Sequence, residues 1–276
     1  MSIKQISTKE IIGDKFIDVL EDIMDRKHIH YFFKGGRGSL KSSFVSIYVI
    51  LAIMRDYSNG EISNCVGLRK VHNTIHDSVF ANLTWAINLL GVGNLWEVNE
   101  SPMRLRYKKA TILFRGCANQ KDYEKIKSLK FQVGYCRYVI FEELTEFRDM
   151  DEIRYITQSL FRGGNGAIGF YMYNPPPSKF NWVNDEVRQE VSNRYVHHST
   201  YLDVKPEWLG EDFISEAEIL KEVNPRKYDS MYMGLEIGEG LEIYKNLKIR
   251  TITDQEIQSF DKIYHLSKVK FLIKRF

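Results

Sequence analysis

The chain is poor in cysteine: three in 276 residues, Cys65, Cys117 and Cys136. An odd count with no metal-ligand spacing excludes a disulfide framework and a zinc knuckle, and fits a reducing compartment. Long apolar runs are missing too. None reaches the ~18 residues a membrane helix needs, and the opening stretch MSIKQISTKEIIGDK lacks the apolar centre of an export signal. No internal repeat or low-complexity linker interrupts the sequence. Charge of one sign is not in excess either, with 39 basic and 36 acidic residues and a net charge of +3. That balance neither demands nor excludes a nucleic-acid partner, because a local groove can be basic on a nearly neutral chain. What the chain does have is bulk. Hydrophobic residues make up 43% and aromatics 13%, enough for the core of one large domain or two small ones.

Apolar residues at helical spacing predict a helix over residues 9–27 (Ile11, Ile12, Phe16, Val19, Leu20, Ile23). A short strand over 30–33 runs into Gly35-Gly36-Arg37-Gly38-Ser39, and a helix is predicted over 41–55. Strands are expected at 65–69, 138–141, 168–173 and 195–201, with a hairpin over 103–114. Helices are expected at 72–90, 120–130, 149–161, 211–222 and 225–233. The run Tyr138-Val139-Ile140-Phe141 suits a strand covered on both faces. Strands alternating with helices over 30–200 predict an α/β fold with a mainly parallel sheet flanked by helices.

Residues 35–42 read G-G-R-G-S-L-K-S. This matches the phosphate-loop pattern G-x-x-x-x-G-K-[ST], except that Leu40 stands where the second glycine belongs. Small residues (Gly35, Gly36, Gly38, Ser39) let backbone N–H groups face phosphate oxygens, and the following helix start adds its positive dipole end. Lys41 would reach the β- and γ-phosphates, Ser42 would ligate Mg²⁺, and Ser43 would complete the loop. A glycine-rich turn beside a surface lysine would give the same letters. Leucine at 40 is expected to need a negative φ, with its side chain packed away from the nucleotide. A phosphate loop calls for an acidic strand end, and Val139-Ile140-Phe141-Glu142-Glu143 supplies two carboxylates. Glu142 is the candidate for Mg²⁺ and Glu143 for the base that polarises the attacking water. A solvated charge pair is the plainer alternative. Tyr173-Asn174-Pro175-Pro176 ends the next strand. There an amide could report on the γ-phosphate, although Asn-Pro is also ordinary turn chemistry.

Taken together, KGGRGSLKSS at 34–43, VIFEELTEF at 139–147 and YNPP at 173–176 resemble the large terminase subunit of tailed bacteriophages. Further stretches at 66–79, 112–128 and 198–210 are similar to that family in order and spacing, so the resemblance spans roughly residues 10–265. It implies a RecA-like P-loop NTPase core that hydrolyses ATP with Mg²⁺ to drive double-stranded DNA into a prohead. The implied partners are DNA, a small terminase subunit, the portal ring and further copies of the chain, in the cytoplasm of the bacterial host and away from any membrane. Arg37 matches an arginine of the family's loop that could stabilise transition-state charge in cis. Arg162 is one candidate for an arginine acting in trans.

The implied organisation is a helical lead-in over 1–30, an ATPase domain over 31–250 and a linker over 251–276. The family's second domain, a nuclease, opens on a strand carrying a metal-binding aspartate. Here Phe260 to His265 resembles the approach to that strand, but LSKVKFLIKRF follows, with no acid after Asp261. A two-metal nuclease needs several clustered carboxylates, so no nuclease activity is expected. Two alternatives stay open: another P-loop hydrolase such as a helicase-like enzyme, and a nucleotide-binding remnant without turnover. The basic clusters at 104–109, 121–130 and 268–275 do not place a DNA contact.

Overall fold

A computed structural model describes residues 8–238, 262–266 and 269–273. The expected boundary at 250/251, and most of the linker beyond it, lie outside the described residues.

The first unit is built on an eight-stranded sheet in the order β3-β4-β5-β2-β6-β7-β1-β8. Its strands are β1 (His30–Gly35), β2 (Ser63–Arg69), β3 (Trp96–Glu100), β4 (Met103–Tyr107), β5 (Ala110–Gly116), β6 (Tyr135–Phe141), β7 (Ile168–Tyr173) and β8 (Arg194–Ser199). Neighbours from β5 to β8 run parallel, and β4 and β3 extend the sheet as an antiparallel ribbon.

Side-chain alternation along the strands splits the core in two. Tyr31 and Phe33 enter the layer beneath α1 (Thr8–Ile12), α2 (Ile17–Met24), α3 (Lys41–Ser58) and α4 (Ala81–Leu89). Phe32, Val139, Phe141 and Tyr171 enter the opposite layer, beneath α5 (Gln120–Lys127), α6 (Met150–Leu160) and α7 (Trp182–Arg188). Both faces of the central strands are therefore covered, which is why they read as unbroken apolar runs. A third cluster, of Tyr201, Ala217, Tyr228 and Tyr232, joins the short α8 (Pro206–Leu209) to α9 (Glu211–Val223) and α10 (Pro225–Met231).

The predicted helix over 9–27 is two helices. Gly13, at φ 78° and ψ 154°, breaks it, in a conformation that only glycine adopts readily. The stretch 72–90 is helical in three registers: a 3-10 turn, a π turn at His76–Phe80, then α4. All three cysteines are free and buried. Among the described residues no helix is long and apolar enough to cross a membrane. In the separate second unit, β9 (Lys262–Leu266) and β10 (Val269–Ile273) form an antiparallel pair.

Candidate nucleotide site

Strand β1 delivers the glycine loop at the carboxyl edge of the sheet, where ligands of open α/β folds bind. The loop leaves no room for side chains at its glycines. A Cβ on Gly35 would stand 2.0 Å from the Ser199 carbonyl oxygen, and one on Gly36 2.0 Å from that of Tyr232. Gly38 has φ +72° and faces the Phe213 ring. The Ser39 hydroxyl donates to the Gly36 oxygen at 2.7 Å, and the Ser199 hydroxyl donates to the Ser39 oxygen at 3.0 Å.

Leu40 corrects the expectation of a negative φ. It sits at φ 58°, ψ 14°, in the left-handed region. The loop must reverse into α3 within one residue, and the turn keeps the geometry that glycine normally supplies. The side chain packs against the core layer beneath α3, which offsets a conformational cost of about 1–2 kcal/mol, and also borders the cavity beside Ser43. The Leu40 carbonyl accepts the first helical bond, from Phe44 N–H at 2.9 Å.

The Lys41 ammonium is buried and folded back on its own loop. It donates toward the Gly35 and Gly36 oxygens (3.0 Å each), Ser39 Oγ (2.8 Å) and Asn174 Oδ1 (3.0 Å). Four acceptors surround three protons. Burial draws its pKa down to about 8, against the pull of Glu143 and Glu142.

Strand β7 lies between β1 and β6, so Asn174 projects between the loop and the acids. Glu142 extends the ladder past β6, donating its N–H to the Leu68 oxygen at 3.0 Å. Its Oε1 accepts from Ser42 Oγ at 3.1 Å, while Oε2 is buried with no hydrogen-bond partner. Burial, and then the neighbouring Glu143 charge, push the Glu142 pKa up to about 7. Glu143 is half-buried and leaves the strand at φ 51°, ψ 59°. A non-glycine residue held there marks a position that the surroundings over-determine.

The orphaned Glu142 oxygen and the Ser42 hydroxyl are hard donors of the kind Mg²⁺ takes. Among the described residues, no three His, Cys, Asp or Glu gather around a metal position. That sparse set still fits Mg²⁺, which keeps waters and substrate phosphates as its other ligands.

Arg37 is exposed at the loop tip, and its N–H donates to the Met231 oxygen at 2.8 Å. Arg162 is not part of this edge. It follows α6 beside Gly134 and Tyr135, where β6 begins, about 20 Å along the strand from Glu142.

Several supports carry no sequence signal. Ser199, Tyr232 and Phe213 reach the loop from far down the chain. Arg69, at the end of β2, forks onto Glu146 at 3.1 and 3.3 Å, and its charge acts on Glu142. On the far side of the loop, Ser43 borders a cavity of about 480 Å³ walled by Ile11, Leu40, Trp85 and Trp208.

The sequence model of the phage terminase large subunit family matches residues 27–235. The large terminase subunit of Bacillus phage SPP1 is 38% identical over 270 residues, which are 94% of this chain and 62% of that protein. The PBSX phage terminase large subunit of Bacillus subtilis (strain 168) is 22% identical over 218 residues, 75% of this chain and 49% of the relative. Among solved structures, the large terminase of a thermophilic bacteriophage in complex with ADP matches with a TM-score of 0.59 at 15% identity. That match covers 82% of this chain and 54% of that one, and gives the RecA-like fold. The chain spans 62% and 49% of the length of the two curated relatives. With its glycine loop, paired acids and intervening asparagine on one sheet edge, the chain belongs to the phage terminase large subunit family.

Proposed function

We propose that this chain hydrolyses ATP to drive double-stranded DNA into a prohead. The observation that carries the reading is the buried, unpartnered Oε2 of Glu142, linked through Oε1 to Ser42 beside Lys41. That is a hard oxygen donor at the place where a phosphate loop takes its metal.

Lys41 exchanges its loop carbonyls and Asn174 for the β- and γ-phosphates. Backbone N–H groups from Gly38 to Ser43 line the anion, and the start of α3 adds its dipole. Ser42 and Glu142 would hold Mg²⁺, which would supply charge neutralisation for the phosphates. Glu143 takes the proton of the attacking water, and the displaced Asn174 amide reports the state of the γ-phosphate. Arg37 adds positive charge in cis. The base fits the cavity beside Ser43, between Trp85 and Trp208, because base pockets are apolar with aromatic walls. The thermophilic-phage relative was solved with ADP, which supports a nucleotide as the ligand.

Membership of the family supports the partners: a small terminase subunit, the portal ring and neighbouring copies that supply arginines in trans, in the host cytoplasm. No observation favours a helicase or an inert remnant.

The test is Mg²⁺-dependent phosphate release by the isolated chain. Turnover should be slow, because an arginine supplied in trans is worth roughly 10³–10⁵ in related phosphoryl transfers. It should vanish in Lys41→Ala. A non-hydrolysable ATP analogue should change tryptophan fluorescence, and Trp85→Phe should diminish that change. Release that survives Lys41→Ala would overturn the assignment.

A further inference from the structure

Far from the phosphate loop, the antiparallel end of the sheet carries a cationic hollow. Along β4, Leu105 turns into the core, so Arg104 and Arg106 turn to the other face. Their register partners on β5 are Leu113 and Thr111. On the central strands that face is covered by α5 to α7. Here it stays open, and segment 130–133 closes it into a cavity of about 340 Å³. Arg104, Arg106, Lys108, Lys109 and Lys130 line it, and no acid does. Among the described residues, these five make one ion pair, Arg106 to the exposed Glu97 at 3.7 Å.

Two further observations point outward. The hairpin turn is Lys108-Lys109, with Lys108 at φ 54°. Turns of this kind favour Asn or Gly, so lysine is held there against its backbone preference. An adjoining cavity, of about 390 Å³, adds Lys127 and Arg162 and again contains no acid. The positive surface therefore continues along the edge where β6 begins. On a chain with a net charge of only +3, this is a local concentration. Apolar contact is confined to Leu113, Phe131 and Val133 in the first hollow, too little for the apolar centre of a protein interface.

We infer that this face, Arg104 to Lys109 with Lys130, grips the sugar–phosphate backbone of double-stranded DNA without reading its sequence. Phosphate contacts position a duplex and carry no sequence information, which suits a track that must pass any DNA. The inference rests on the packaging reading and gives it a contact surface.

The test is fluorescence anisotropy of a short labelled duplex with the full chain at increasing KCl. Each phosphate contact contributes about −0.9 to the slope of log K against log salt. Arg104→Gln with Arg106→Gln should weaken binding on the order of tenfold and flatten the slope by about 2. Lys130→Gln, on a separate segment, should flatten it by about 1 and guards against misfolding of the ribbon. ATP-analogue binding and DNA-free hydrolysis should stay at the native level in both variants. Lys41→Ala should lose hydrolysis and keep the DNA slope, so the two proposals fail separately. Native affinity and slope in the substituted chains would overturn this one. So would an acidic polypeptide that competes through Arg104 and Arg106 as well as DNA does.

Discussion

The two ends of the sheet use opposite chemistry. At the phosphate loop the backbone is the working part and side-chain volume is excluded. Gly35 and Gly36 lie so close to Ser199 and Tyr232 that one added carbon atom collides with backbone. At the β4–β5 ribbon, by contrast, long charged side chains line a hollow and the strained backbone is confined to the turn at Lys108. The first arrangement is stiff and intolerant; the second offers five cations along one hollow. On the proposed roles, substitutions should act abruptly at one edge and gradually at the other.

That contrast can be attacked from its brittle side first. Gly36→Ala should destabilise the chain by roughly 3 kcal/mol or more and abolish analogue binding. The melting curve and a titration check both, and a fold that absorbs the methyl group without loss would end the idea of a closed loop. Next, Glu143→Gln should lower hydrolysis roughly 10²–10⁴-fold, the usual value of a general base, with analogue affinity within a few-fold. Glu142→Gln should instead weaken Mg²⁺-dependent binding. Phosphate release and calorimetry separate the two, and the reverse pattern would exchange their roles.

A third effect concerns acid. His197 is buried between Phe16 and Phe33, and burial lowers its pKa from 6.5 to about 4. The unfolded chain therefore binds the proton more readily. The stabilisation is complete above pH 6.5 and is lost as pH falls through about 4, amounting to up to about 3 kcal/mol. Melting temperature against pH should fall in that window, and His197→Gln should flatten the fall. Leu40→Gly is expected to be nearly neutral. Relief of the left-handed leucine, about 1–2 kcal/mol, offsets the burial lost, so the melting point should move little. Smallest of all, Lys109→Ala should change duplex affinity less than about threefold and leave melting unchanged.

Much of the nucleotide edge is legible because it is written in contiguous letters: strand, glycines, Lys41-Ser42; strand, Glu142-Glu143; strand, Asn174. Each is local, and the sheet order only has to bring them together. Leu40 misleads because its φ is set by the loop's reversal and not by its own preference. Strand β3 escapes sequence reading because only Trp96 among its five residues is buried, so the edge lacks the alternation that betrays a strand. The short α7 and α8 escape for a similar reason, having too few turns to show a period. Ser199, Tyr232 and Arg69 act across the tertiary fold, and no spacing in the sequence announces them. The basic residues at 104–109 are visible as a cluster, but their union with Lys130 is a product of folding.

Beneath the phosphate loop, the Arg37 N–H is fastened to Met231, Gly36 abuts Tyr232, and Gly234 presses on Gly35. These three contacts are backbone to backbone. A displacement of the loop therefore presses directly on the end of α10. The glycine loop and the end of α10 are thus one mechanical piece, although the whole chain from Arg37 to Met231 separates them.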